Sequence, residues 1–267
     1  MFQSSRWAFP AALFLFVQVA GSTPALAAAG QLDTSFGGDG KVTTHFAKRS
    51  FDTGFGVALQ SNGKIVAVGF SQQSHSRFAL ARYNPDGTLD PSFGGDGKVR
   101  THFAKGSFDF GFGVALQSDG KIVAAGSSQH RFFTTQRSHA RFALARYNPD
   151  GTLDPSFGGD GKVTTHFAPK SNDIASGVAI QSDGRIVAAG ASRQPRFRFA
   201  LARYGSDGTL DPSFGGDGKV RTHFATRSGD YASAVALQAN GKILVAGDSF
   251  RPRGSIDLFA LARYLPS

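Results

Sequence analysis

The stretch "LDPSFGGDGKV" occupies Leu89 to Val99, returns unchanged at Leu153 to Val163 and Leu210 to Val220, and stands at Leu32 to Val42 with Thr34 in place of the proline. A chain written four times folds as stacked units, because each unit of a repeat protein buries its apolar face only against its neighbour. From Leu32, Leu89, Leu153 and Leu210 the spacings are 57, 64 and 57 residues.

Inside each unit the same pieces recur in the same order, and each reads as a strand or a tight turn. "VALQ" and "KIVAVG" are short apolar segments separated by Ser-Asn-Gly, Ser-Asp-Gly or Ala-Asn-Gly. Asn-Gly and Asp-Gly between such runs are strong hairpin signals, since these residues tolerate the positive φ of a tight turn. "FALARY" sets Phe78, Leu80 and Arg82 on one face and Ala79, Ala81 and Tyr83 on the other, as the period of a strand requires. "KVTTHF" is rich in β-branched and aromatic residues and supplies a fourth strand. Glu is absent, the initiator is the one Met, and Gly numbers 34 of 267, so helix is disfavoured by composition as well.

Four short antiparallel strands per unit predict an all-β fold, a four-bladed β-propeller of four repeats of 57 to 64 residues. Units of the form "LDPSFGGDGKV", then "VALQSDGKIVAAG", then "FALARYNPDGT" resemble the delta-60 repeat family, a bacterial β-propeller domain of unknown function found in tandem arrays in exported proteins. The resemblance runs from Leu32 to Tyr264 and implies the propeller fold; it brings no catalytic or ligand residue with it. Strand counting predicts how the ring closes. The chain opens with an unaccompanied fourth strand, Lys41 to Phe46, and finishes with three strands that lack one, the last being Phe259 to Tyr264. Pairing of these two segments would latch the ring and satisfy both edges. An eight-bladed ring of two chains is the alternative assembly.

The first residues carry one positive charge, Arg6, an apolar run from Trp7 to Ala20, and small residues ending in Pro24-Ala25-Leu26-Ala27. This order predicts a secretory signal peptide over residues 1–27, followed by the propeller over 30–267. The apolar run is shorter than a membrane-spanning helix needs, so no transmembrane segment is expected after cleavage. The expected location is secreted or periplasmic. There is no cysteine, which excludes lipoprotein attachment and disulfides, and no cofactor is indicated.

Chain direction assigns the connections to two rims. The turns within "VALQ…KIVAVG" and the long "NPDGTLDPSFGGDG" connections share one rim, which has constant wording and most of the Asp. The other rim holds the loops that vary in length and letters, and variable loops on a rigid scaffold are where binding usually resides. The net charge of +10 concentrates there. The loop "SSQHRFFTTQRSHAR" accounts for the longer spacing and carries Arg131, Phe132, Phe133, Arg137 and Arg141, and "SRQPRFRF" carries Arg193, Arg196 and Arg198. Arg forks suit carboxylate, sulfate and phosphate groups, with aromatic rings adding stacking surface.

These residues predict a non-catalytic binding module that contacts an acidic polysaccharide or an anionic envelope surface. A scaffold that binds only protein partners is the alternative, and nucleic acid is disfavoured for an exported chain. Calcium at the repeated turns, held by Asp86, Asp90 and Asp96, is a weaker alternative on oxygen-ligand chemistry. The four His of "THF" fall on separate blades, which argues against a shared metal. Repeated Arg and Asp point to structural pairs. With all 19 acidic residues Asp, paired-carboxylate hydrolysis would fall on the two acids outside the repeat pattern, Asp248 and Asp257, and no enzyme is expected.

Overall fold

The computed structural model describes residues 29–130, 139–250 and 257–266. Four antiparallel sheets follow one another along the chain. The first holds β1 (Phe51–Leu59), β2 (Ile65–Gln72), β3 (Ser76–Tyr83) and β4 (Lys98–Thr101). The second holds β5 (Ser107–Leu116), β6 (Ile122–His130), β7 (Ala140–Tyr147) and β8 (Lys162–Thr165). The third holds β9 (Asn172–Ile180), β10 (Ile186–Arg193), β11 (Phe197–Tyr204) and β12 (Lys219–Thr222). The fourth has three strands, β13 (Gly229–Leu237), β14 (Ile243–Phe250) and β15 (Asp257–Tyr264). Among the described residues no helix is long and apolar enough to cross a membrane.

The strand edges follow from the sequence. Gly120 takes φ 83° in the turn between β5 and β6, a conformation that costs glycine no steric clash. The bulge between Gly111 and Gly113 on β5 brings Phe110 O so close to Gly126 that an added Cβ would lie 1.9 Å from it. The strands opposite such bulges therefore need Gly in their middles.

The sheets are joined by the two faces of "FALARY". Phe142 and Leu144 of β7 pack with Ile186, Ala188, Ala200, Ala202 and Tyr204 of the third sheet. Phe78 and Leu80 meet Ala143, Ala145 and Tyr147 in the same way, and Phe199 and Leu201 meet Ala260, Ala262 and Tyr264. A large face thus enters a small face at every boundary, the interdigitation that close-packed interiors require. Tyr147 Oη lies 2.8 Å from Thr101 Oγ1, and Tyr204 and Tyr264 repeat the contact on Thr165 and Thr222 at 2.9 Å.

Among the described residues no strand pair joins the two segments of the expected latch. Residues 41–46 make no strand, and the outer edge of β15 pairs with nothing among the described residues. Thr44 lies beneath Tyr83, 2.8 Å from its hydroxyl, in the position that Thr101 takes beneath Tyr147. Each sheet packs on its successor, with no comparable contact between the fourth sheet and the first among the described residues. The three boundaries between successive sheets are fully packed, and among the described residues the outer edge of β15 has no partner strand. Phe259 is consequently 90% exposed, where Phe78, Phe142 and Phe199 are wholly buried.

Candidate anion-binding rim

The repeated turn works as a fastener between sheets. Arg82 Nε donates to Asp90 Oδ2 at 2.6 Å and Nη2 to Ser92 Oγ at 2.9 Å, while Nη1 reaches the Pro149 carbonyl of the next unit. The guanidinium also sits over the Phe93 ring, 4.8 Å from its centre. Arg146 with Asp154 and Ser156, and Arg203 with Asp211 and Ser213, repeat the arrangement, as the recurring Arg and Asp suggest.

The three carboxylates weighed as calcium ligands are engaged one by one. Asp86 Oδ1 accepts from the Thr88 N–H and hydroxyl. Asp90 Oδ1 accepts from Ser92. Asp96 accepts from the Lys98 N–H and faces its ammonium at 3.1 Å. Among the described residues no group of three His, Asp or Glu side chains is placed to hold a metal. Burial alone would push the Asp90 carboxyl up, but hydrogen bonds from Lys64, Ser92 and Arg82 outweigh it and hold the group well below the usual carboxylate range.

The opposite rim is ordered by a second repeated device. Asp109 Oδ2 accepts from the Phe103 N–H at 3.1 Å and lies 2.7 Å from Ser107 Oγ, which in turn takes the Ala104 N–H. Asp173 with Ser171 and Asp230 with Ser228 do the same. These Asp side chains are fully buried, so their negative charge is withdrawn beneath the loop. The loop surface is left to cations. Arg49, Lys170 and Arg227 occupy its tightest point at φ 59°, 63° and 68°, where the second unit has Gly106 at 75°. The left-handed conformation costs a non-glycine residue roughly 1–2 kcal/mol, so three units accept that cost and place an exposed cation where glycine would be unstrained.

On the rim of the second sheet, between the loops that precede β5 and follow β8, lies a cavity of about 200 Å³, lined by Phe103, Ser128, His139, Arg141, His166 and Lys170 among others. Its potential is legible in His166. Partial burial lowers the imidazole pKa below the usual His range, and Arg141, Lys219 and His139 lower it further against an opposing pull from Asp173. The loop after β10 lies alongside, with Gln194 Nε2 donating to Pro169 O at 2.6 Å.

Of the residues singled out from the sequence, Arg141 lines this cavity. Arg193 and Arg196 are exposed and Arg198 half-exposed on the neighbouring hairpin, where Arg193 stacks 5.3 Å over Phe197. Arg131, Phe132, Phe133 and Arg137 lie outside the described residues, as does the segment 1–27. Sequence reasoning missed His166 and Lys170. His166 is one of the four equivalent His residues of "THF", and Lys170 lies close to Asp173 in sequence. The signal that separates them is burial of the Asp. Asp248 and Asp257 sit away from this cavity on β14 and β15, and burial together with Asp257 and Asp230 pushes the Asp248 carboxyl up.

Four successive antiparallel sheets joined by repeated fasteners are the architecture of a β-propeller. The chain belongs to a family described as a domain of unknown function (DUF5122) beta-propeller, whose profile matches residues 60–93, 117–157, 181–214 and 238–267. No curated protein matches the chain. Among solved structures, a protein of unknown function from Dyadobacter fermentans DSM 18053 aligns at TM-score 0.49 with 12% identity, over 79% of this chain and 66% of that one. An endo-arabinase from Bacteroides thetaiotaomicron VPI-5482 aligns at 0.43 with 10% identity, over 78% and 73%. A polysaccharide lyase, an ulvan lyase bound to -[GlcA(1-4)Rha3S]-, aligns at 0.41 with 10% identity, over 78% and 54%.

Proposed function

We propose that the protein is an exported, non-catalytic binding module that holds an acidic polysaccharide against its basic rim. The observation that carries this reading is the convergence of Arg141, His139, His166 and Lys170 on one cavity, with Arg193, Arg196 and Arg198 extending the same rim. Guanidinium groups grip carboxylate and sulfate in paired hydrogen bonds, and a row of them fits a polymer better than a small ion. A location in the periplasm or outside the cell, the expectation from the N-terminal sequence, would supply such polymers.

The test is thermal unfolding of the protein with a panel of uronate-containing and sulfated polysaccharides, beside neutral ones. A ligand that binds only the folded state at 100 times its Kd stabilises it by about 2.7 kcal/mol, so an acidic polymer should raise the melting temperature measurably. The double variant Arg141→Asp with Lys170→Asp should retain the fold and lose the shift. No shift with any acidic polymer, or an unchanged shift in the variant, overturns the proposal.

Affinity should also depend on pH in one direction. Burial first, and then Arg141, Lys219 and His139, depress His166 in the free protein, and a bound anion favours its protonated form. Binding then takes up a proton, so affinity rises as pH falls from about 7.5 to about 5.5, across the ordinary His range. Titrations at several pH values check this, and His166→Gln should flatten the profile.

A further inference from the structure

We propose that the fourth sheet takes its missing strand from a second copy of this chain, so that two copies join head to tail. The proposal is independent of the polysaccharide reading and rests on two half-built junctions at the ends of the run of sheets.

The fourth sheet carries the projecting half. At the three complete boundaries the Phe and Leu of "FALARY" are wholly buried, but on β15 Phe259 is 90% and Leu261 60% exposed. The first sheet carries the receiving half. Val42, Phe46, Ala67, Ala79, Ala81 and Tyr83 line a cavity of about 240 Å³. They are the counterparts of the residues that receive Phe78 and Leu80 on the second sheet. There Phe78 meets Phe103 edge-on at 4.9 Å, and Phe142–Phe167 and Phe199–Phe224 repeat the pair at the same distance. Phe46 stands in the corresponding place for Phe259 of another copy.

Backbone and charge match as well. In the first sheet Phe78 opposes Thr101, Ala79 Arg100, Leu80 Val99 and Ala81 Lys98. The same register sets Phe259 opposite Thr44, Ala260 opposite Thr43, Leu261 opposite Val42 and Ala262 opposite Lys41. Arg263 is exposed and no carboxylate pairs with it among the described residues. Asp33 holds Ser35 through Oδ1 at 2.9 and 2.6 Å, as Asp90 holds Ser92, and its Oδ2 is left open where Asp90 takes Arg82. Arg263 of one copy and Asp33 of the other are the two parts of a fourth fastener.

A second copy fits better than the chain's own N-terminal segment. The three boundaries are already fully packed with β15 unpaired, so closure on its own Lys41–Phe46 would have to repack them. The inner strands leave little room for it, since a Cβ on Gly56 would lie 2.7 Å from Phe112 O. Two copies related by a two-fold axis use both junctions and close a ring of eight sheets, within the usual range of propellers.

The chain has no cysteine, so introduced thiols report cleanly. His45→Cys and Leu258→Cys place exposed thiols one step beyond the matched register. With a short bismaleimide, an equal mixture of the two single variants should give a covalent two-chain product that neither gives alone. The chain carrying both thiols should be linked between copies, and light scattering should show a two-chain mass that Leu261→Arg reduces to one while circular dichroism stays that of a folded β protein. Linkage within one chain would show that the ring closes on itself. A single-chain mass at every accessible concentration with no cross-link would show that no copy docks there. Either result overturns the proposal.

Discussion

Replacement of Asp154 with alanine is expected to lower stability by about 3–5 kcal/mol, the usual cost of leaving one partner of a buried ion pair uncompensated. Asp154 and Arg146 are 5% and 4% exposed, so water does not take the place of the lost carboxylate. The ammonium of Lys121, 3.5 Å from the same oxygen, is left beside the guanidinium with nothing between them. For a domain of this size the loss corresponds to a melting temperature lower by roughly 6–20 °C, at about 2–4 °C per kcal/mol. Asp33→Ala, at the turn that has no paired Arg among the described residues, should change the melting temperature of the dilute protein little. Scanning calorimetry of the two variants checks the pair.

The same fasteners set the response to acid. Burial alone would raise the carboxyls of Asp90, Asp154 and Asp211, but in each the hydrogen bonds and cations win and hold the folded-state pKa below the ordinary value. A carboxylate depressed by folding adds stability that is complete above its unfolded value of about 4 and is lost as pH falls below it. The three fasteners therefore weaken together below about pH 4.

The second large effect separates two residues that the sequence writes identically. Phe142→Ala should cost about 3–5 kcal/mol, from lost burial and the cavity left behind, because Phe142 is wholly buried between the second and third sheets. Phe259→Ala should cost less than about 0.5 kcal/mol in dilute protein, as exposed substitutions do. Denaturant midpoints at low protein concentration measure the contrast. Equal losses at both positions would mean that the last sheet is covered within the single chain.

Much of the fold is legible because a repeat states each rule four times. The Asn-Gly and Asp-Gly turns, the alternation of "FALARY" and, in the first three sheets, the four-strand unit appear where the residues place them, since local turn chemistry and a period of two suffice to define them. Closure is not legible in this way. It depends on the angle between sheets, which is set by how Phe142 and Leu144 seat on Ala200 and Ala202, and letter counting treats Lys41–Phe46 and Phe259–Tyr264 as free to meet.

The basic rim is partly legible for a related reason. Arg193 and Arg196 break the repeat and draw notice, while Arg141 and Arg198 share the position of Arg77 before "FALARY" and draw notice through the variable loops they adjoin. His166 and Lys170 belong to the repeat, and only the burial of Asp109 and Asp173 shows that the Asp of these loops are caps, not surface charges. Likewise Asp86, Asp90 and Asp96 look like a ligand set in sequence, whereas the backbone sends each into a separate turn.

The central claim is that fixed cations on one rim grip a polyanion, and its most direct test is the affinity of one acidic polysaccharide, labelled at its reducing end, measured across a series of salt concentrations. Releasing counterions makes such binding weaken steeply with salt. The account predicts a steep fall in log affinity with log salt, and a shallower one for Arg141→Ala with Lys170→Ala. Binding that is indifferent to salt, or a slope that the two substitutions leave unchanged, would contradict it.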